Sequence, residues 1–373
     1  MKEGFYLKTL THSEAGAGLH LFSVEQAHQI RAFHRTFPMY QPTPLVHLQE
    51  TAKRLGLADV YVKDESKRFG LNAFKVLGGS YAIGCFLAEK LGLSMEQVSC
   101  QLLTAPETRE KLGDITFVTA TDGNHGRGVA WTASQVGMKS VVYMPKGSAL
   151  ERLENIRAAG AQAAITDMNY DDTVRLAGAH AREKGWVLVQ DTSWEGYEEI
   201  PAHIMQGYCT MGLEAMEQLP QMPTHIFLQA GVGSMAAAIA ALFSQLPGGR
   251  PRIVIVEPNS ADCFYRTAKS NDGKLHFVTG QMDTIMAGLA CGEPCPPAWE
   301  ILKSTARYYL SGPDYAAETG MRLLGQPLGS DPKIVSGESG ASAFGFVAEL
   351  MTDPSLGDLR QELGLGPASR VLF

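Results

Sequence analysis

The chain has 373 residues, 45% of them hydrophobic and 19% charged, with a formal net charge of -7. That length exceeds one small core and predicts about two domains of ordinary globular composition. The acidic balance, without any long run of Lys or Arg, argues against a nucleic-acid or anionic-membrane partner, and the apolar run Met235–Phe243 is too short to span a bilayer.

In chain order, the N-terminal MKEGFYLKTLTHSEAG lacks the continuous apolar core of a signal peptide, so a cytoplasmic location is expected. Short β-branched runs then alternate with amphipathic stretches. Strands are predicted at Val60–Lys63, Ile115–Ala120, Ser140–Met144, Ala161–Thr166, Trp186–Asp191, His225–Ala230 and Arg252–Glu257. Each is mostly apolar, as for strands buried on both faces. Helices are predicted at Asn124–Gln135, Ala149–Ala159, Tyr170–Glu183 and Met205–Gln218. Such alternation predicts a parallel α/β architecture. Residues 78–196 hold a self-sufficient set of elements and are expected to form the smaller domain. Residues 1–77 and 197–373 would form the larger one, with a ligand site expected in the cleft between them.

Three segments carry candidate chemistry. The first, YVKDESKRFGLNAFKVLGGSYA, sets Lys75 between a strand and a helix, flanked by Phe74, Val76 and Leu77. An enclosed lysine loses affinity for its proton and becomes a nucleophile able to form a Schiff base. Alone, it reads more readily as a lysine snorkelling from a helix face. The charges before it, Lys63, Asp64, Glu65, Lys67 and Arg68, are expected to form a solvated loop.

The second segment, FVTATDGNHGRGVAW, is a strand, a polar glycine turn and a helix. Thr121 stands where an N-cap-like group would, and the amides beyond it can take a carboxylate. A capped βα turn without a ligand would look the same. In the third, HIFLQAGVGSMAAAIAA, a buried strand runs into Gly231-Val232-Gly233-Ser234, and a small-residue helix starts near Met235. Amides of such a loop converge on an anion at the helix N-terminus. No Lys-Ser or Lys-Thr follows the glycines, as a Walker loop would require. The third glycine of GxGxxG is missing, which disfavours a nicotinamide dinucleotide and leaves a phosphate monoester.

The six cysteines form no CxxC pair, and the ten histidines show no metal-ligand spacing, so no metal is expected. Reduced thiols are expected. A Cys263–Cys291 or Cys263–Cys295 bridge is the alternative.

Taken together, the lysine segment, the Thr-x-Gly-Asn-His-Gly turn about 46 to 50 residues later and the glycine loop beyond it resemble the fold-type II, tryptophan synthase β-like, pyridoxal-phosphate (PLP) enzymes. Pro42-Thr43-Pro44-Leu45, Val256-Glu257-Pro258, TIMAGLA (Thr284–Ala290) and GESGA (Gly337–Ala341) extend the resemblance from about Pro42 to Gly340. The resemblance implies two open, twisted, mostly parallel sheets flanked by helices. Within this family, NAFKVLGG, ATDGNHGRGVAW, VQDTSWEGYEEIP, TIMAGLACGEP and SGESGA are most similar to the diaminopropionate ammonia-lyases. Serine and threonine dehydratases, the alternative, usually carry a small residue where Asp122 stands here.

The resemblance implies α,β-elimination of ammonia from 2,3-diaminopropionate, with pyruvate and two ammonia as products. It implies pyridoxal 5'-phosphate held on Lys75 beside Phe74, with its phosphate on Gly231, Val232, Gly233, Ser234 and Met235 and its ring O3′ on Asn124. Thr121 and the amides of Gly123, Asn124 and His125 would take the substrate carboxylate. Lys75 would be the base for the L isomer and Asp122 for the D isomer, while Asp191 positions or protonates the β-amine. A homodimer is also implied. A non-catalytic phosphate-binding or regulatory protein is the reading from another class, and intact Lys75, Asn124 and Gly231–Ser234 argue against it.

The family usually places a Ser/Thr segment at the pyridine nitrogen after the last core strand. Here Arg370–Phe373 reads as the opening of that strand and no such segment follows, so the native chain is expected to continue. Ser336 or Ser339 is the alternative partner.

Overall fold

The computed structural model describes residues 4–11, 18–121, 123–246 and 250–373. In chain order its strands are β1 (Tyr6–Thr9), β2 (Leu45–His47), β3 (Asp59–Lys63), β4 (Thr116–Ala120), β5 (Lys139–Met144), β6 (Gln162–Ile165), β7 (Val187–Leu188), β8 (His225–Gln229), β9 (Arg252–Pro258), β10 (Tyr308–Gly312) and β11 (Arg370–Leu372). The chain divides into two compact units. One comprises Met1–His20, Thr43–Ser66 and Glu214–Phe373, the other Leu21–Pro42 and Lys67–Leu213.

The first unit is built on a seven-stranded sheet of order β1-β10-β9-β8-β11-β3-β2. The five inner strands are mutually parallel, and β1 and β2 close the two edges antiparallel. All of β10 and all but the first residue of β9 are buried, the mark of a parallel sheet with both faces covered. Val60, Phe227, Val254 and Val371 of the sheet share one core with Phe344 and Val347 of helix Glu338–Thr352.

The second unit carries a four-stranded, all-parallel sheet of order β6-β5-β4-β7. Val118 and Ala120 pack with Val174 and Ala177 of helix Tyr170–Lys184. Val142 and Met144 pack with Ala130 of helix Asn124–Gln135 and with Leu153 and Ile156 of helix Leu150–Ala158. From β4 the chain crosses to β5 on one side, whereas β7 returns on the other. The connections therefore diverge at the carboxyl end of β4, where open α/β sheets place their ligands.

Each of the seven predicted strands has its counterpart, and two open, mostly parallel sheets flanked by helices are what the resemblance implied. Strand β7 is shorter than the predicted Trp186–Asp191 because side chains replace the ladder beyond Val189, whose amide still donates to the Val118 carbonyl. The Gln190 amide N–H donates to the Tyr197 hydroxyl, and the Gln190 side-chain carbonyl accepts the Ala120 amide. The predicted helix Met205–Gln218 is two helices, Glu199–Gly207 and Cys209–Gln218.

The charged segment before Lys75 is only in part the solvated loop expected from its composition: Lys67 is exposed and Asp64 half-buried, but Lys63, Glu65 and Arg68 turn inward. Lys63, with a side chain 5% exposed, donates to Glu214 at 2.8 Å, to the Thr43 carbonyl at 2.6 Å and to Gln218 at 2.9 Å. Glu65 is buried and accepts the Thr43 hydroxyl at 2.5 Å. Arg68, also buried, donates to the Gln41 carbonyl. Composition reads these as surface charges. Folding pairs them, which is the condition for burying them.

Helix Lys75–Leu91 is the centre of the second unit. Gly128 presses so closely on its first turn that a Cβ there would lie 2.8 Å from the Val76 Cα, and one on Gly207 would lie 2.3 Å from the Leu77 carbonyl oxygen. Gly128→Ala, in mid-helix, should therefore lower stability by about 1–3 kcal/mol in urea unfolding through overpacking. Helix propensity alone would favour Ala by about 1 kcal/mol, so the sign of the change tests the contact.

Candidate active site

Lys75 opens its helix with no side-chain cap, so its amine stands at the positive end of the helix dipole, which disfavours a charged ammonium there. The chain reaches it through a strained turn: Phe69 and Asn72 have φ of 49° and 57°. Phe69 is held in that state by Trp131 and Phe37, whose ring centroids are 5.0 and 5.9 Å away. The amine lies 5.8 Å from the ring centroids of both Phe74 and Tyr208, which meet edge to face.

Asp191 supplies the countercharge. Its Oδ2 accepts Lys75 Nζ at 2.7 Å and lies 4.0 Å from His125 Nδ1. Its Oδ1 accepts the Tyr170 hydroxyl and the Gln190 side-chain amide, each at 3.3 Å. The Asp191 side chain is only 6% exposed, against 23% for Lys75. Burial pushes the carboxyl upwards, but the charges of Lys75 and His125 and the hydrogen bonds from Lys75 and Tyr170 outweigh it and hold the group well below the usual carboxylate range. Asp191 is therefore an anion in a largely dry setting. His125 is buried, and its Nε2 lies 2.8 Å from the Val189 carbonyl, an acceptor only. That nitrogen donates to the carbonyl, and Nδ1 is turned to the carboxylate.

Between β4 and helix Asn124–Gln135, the buried Thr121 Oγ1 accepts the amides of Gly123 at 2.9 Å and Gly126 at 3.1 Å. Thr121 is thus the cap-like residue expected. Because the Gly123 amide is committed to it, the amides of Asn124 and His125 in the first helical turn are what the loop can offer an anion. Asn124 is exposed at the helix start. The structure therefore brings Lys75, Phe74, Thr121, His125 and Asp191 together with Tyr170, Gln190, Tyr197 and Tyr208. Asp122 lies outside the described residues.

Sequence reading did not single out those last four. Gln190 and Tyr197 lie inside the quoted VQDTSWEGYEEIP, so only their roles were hidden. Nothing around Tyr170 or Tyr208 in the sequence distinguishes them from core tyrosines.

In the first unit, Gly231–Gly233 leave the carboxyl end of β8 and helix Ser234–Ser244 follows directly. Gly233 has φ of 91°, and a Cβ on it would lie 2.3 Å from Phe264. A Cβ on Gly231 would meet the Gly288 carbonyl at 2.9 Å and the Cys291 sulfur at 3.2 Å. The neighbouring motifs support this loop. Ser339 of GESGA accepts the Gly288 amide of TIMAGLA at 3.0 Å, and the Val232 carbonyl accepts the Cys295 amide. The buried Glu257 accepts the amides of Phe264 and Tyr265 at 2.8 and 2.7 Å, which fixes Phe264 beneath Gly233. Burial raises the Glu257 carboxyl to about 8, against those amides, which pull it down. Ser336 donates to the Gly337 carbonyl. None of the six cysteines is in a disulfide, so neither suggested bridge forms. Among the described residues no helix is long and apolar enough to cross a membrane.

Each unit supplies groups that fit one part of pyridoxal phosphate. The amine of Lys75 suits an aldehyde, and the buried Tyr208 hydroxyl has no hydrogen-bond partner among the described residues. The first turn of helix Ser234–Ser244 presents the amides that a phosphate needs. Thr121→Val removes the acceptor of two buried amides and should cost about 1–3 kcal/mol in chemical denaturation, whereas Thr121→Ser should stay near wild type.

A family description, pyridoxal-phosphate dependent enzyme, matches residues 36–359. The chain is 52% identical to a diaminopropionate ammonia-lyase of Salmonella typhimurium over 364 residues, 96% of this chain and 90% of the relative. It superposes with a TM-score of 0.90 and 46% identity on the crystal structure of the Escherichia coli diaminopropionate ammonia-lyase in complex with an aminoacrylate-PLP azomethine reaction intermediate, covering 100% of this chain and 93% of that one. A biosynthetic L-threonine dehydratase of Pasteurella multocida matches at 27% over 63% of this chain and 40% of its own. The protein is thus a member of the pyridoxal-phosphate-dependent enzymes and, within them, belongs with the diaminopropionate ammonia-lyases.

Proposed function

We propose that the protein eliminates ammonia from 2,3-diaminopropionate, accepting both the L and the D isomer, and that pyruvate and two ammonia are the products. The observation that carries this reading is the buried, ionised Asp191 beside Lys75. A β-ammonium needs a fixed anion, whereas the hydroxyl leaving group of serine or threonine does not.

When bound, the cofactor withdraws electrons from the substrate α-carbon, which makes its proton removable and assists loss of the β-substituent. Lys75 holds the cofactor, and the amides of the Gly231–Met235 segment hold its phosphate. Asn124 supports the ring oxygen. The Thr121 hydroxyl and the amides of Asn124 and His125 orient the substrate carboxylate. Lys75 Nζ takes the α-proton of the L isomer. Asp122 takes that of the D isomer, a role that rests on the family resemblance. Asp191 Oδ2 faces the β-ammonium, which departs as neutral ammonia with the electron pair of its bond to carbon. Water then replaces the second nitrogen, giving pyruvate and a second ammonia. The resemblance also supports a homodimer.

Lys75→Ala should lose both the cofactor absorbance band that shifts with substrate and all turnover; a retained, substrate-sensitive band would count against Lys75. Asp122→Asn should lose turnover of the D isomer while keeping most of that of the L isomer, measured as ammonia release. Equal loss on both would remove the division of labour between the two bases. Turnover of serine above that of diaminopropionate would favour a dehydratase instead.

A further inference from the structure

The proposed chemistry uses Asp191 and leaves unexplained the two groups behind it, the Gln190 amide and the Tyr170 hydroxyl. Gln190 is wholly buried. Its Oε1 lies 2.9 Å from the Ala120 backbone N–H, which can only donate, and 3.0 Å from the Thr119 hydroxyl. That contact fixes the direction of the amide. Its NH2 group points to Tyr170 Oη at 3.1 Å and to Asp191 Oδ1 at 3.3 Å. Because Tyr170 Oη accepts from Gln190, its own proton is turned to Asp191 Oδ1. The Tyr197 hydroxyl anchors the same peptide: it accepts the Gln190 backbone N–H and donates to the Leu188 carbonyl, both at 2.9 Å.

We propose that Gln190 and Tyr170 are positioning residues that make Asp191 one-sided: fixed donors occupy Oδ1, and Oδ2 alone is presented to the Lys75 amine and to the substrate ammonium. This rests on the role proposed above for Asp191. The chain of donors begins in the main chain of β4, so its polarity reverses only if the Ala120 amide loses its acceptor. The charged and titratable groups around Asp191 among the described residues are Lys75 and His125 at the starts of their helices, Tyr170 at the start of helix Tyr170–Lys184, Tyr197 in the turn after β7, and Tyr208. Tyr170 and Gln190 are neutral, so they set direction without adding charge.

The test compares Tyr170→Phe and Gln190→Met with Asp191→Asn. In the cofactor-free protein, pH-dependent acetylation of Lys75, read by mass spectrometry, reports the protonation of its amine. A carboxylate that has lost a donor binds the ammonium more tightly. The Lys75 midpoint should then rise by up to about 1 pH unit in Tyr170→Phe and Gln190→Met, and fall in Asp191→Asn. In the holoenzyme, the acid limb of kcat/KM for diaminopropionate should move up by about 1 pH unit in Tyr170→Phe. If Tyr170→Phe keeps both the wild-type midpoint and the wild-type acid limb, the inference fails even where melting temperature or overall rate falls. If Asp191→Asn itself turns over diaminopropionate like the wild type, it is the role of Asp191 that fails.

Discussion

The position of Lys75 is set by main-chain contact before any side chain acts. Its helix begins between two others that approach to backbone distance, which only glycine at positions 128 and 207 permits. A side chain on a loop would sample several positions. On a helix start pinned from two sides, the amine is delivered to one place, and ordering it costs little further entropy. His34 adds to the clamp, with one ring nitrogen 3.0 Å from the Leu77 carbonyl and the other 2.7 Å from Thr210. Rings of Phe33, Phe37, Phe69 and Trp131 complete the apolar packing behind it.

Two buried carboxylates show how neighbours decide charge. Asp191 and Glu257 both lose nearly all contact with water. Asp191 faces two cation-forming side chains and stays ionised, while Glu257 meets backbone amides, a thiol and Asp262, and its affinity for a proton rises. Desolvation acts the same way on both, so the difference lies in Lys75 and His125. A charge is thereby kept where the proposed chemistry needs one, and the support beneath the glycine loop is left nearer neutrality.

Much of this was legible in the sequence. Of the seven predicted strands, β4, β5, β8 and β9 are apolar runs largely buried on both faces, a pattern that depends on local composition, while β3, β6 and β7 are only partly buried. The strands that were not predicted have no such pattern: β1 is half-buried throughout, and β2 has three residues. Strand β10 is fully buried yet reads Tyr-Tyr-Leu-Ser-Gly, in which burial of the tyrosines and the serine depends on distant partners. The same holds at the site. Lys75, Thr121 and the glycine loop sit in short segments whose spacing is informative. The contribution of Tyr170 comes from a helix start some twenty residues before Asp191, and that of Gln190 from an orientation imposed by β4. Hydrogen-bond direction is a property of the assembled network and leaves no trace in a window of sequence. The charged run before Lys75 was misread in part for a related reason, since its partners Thr43 and Glu214 are remote in the chain.

That buried cluster has a consequence for how the protein can change over evolution. Lys63 and Glu214 are almost entirely out of water, with exposures of 5% and 1%, and each answers the charge of the other. Loss of one partner strands an uncompensated charge, a change costing about 3–5 kcal/mol, whereas replacing both with well-packed apolar groups is close to neutral. The single-step intermediates between those two states are the least stable points on the route. The pair is therefore a locked combination: in descendants of this sequence the two positions should stay as they are or move together, and Thr43, whose carbonyl and amide bind both, should constrain the timing.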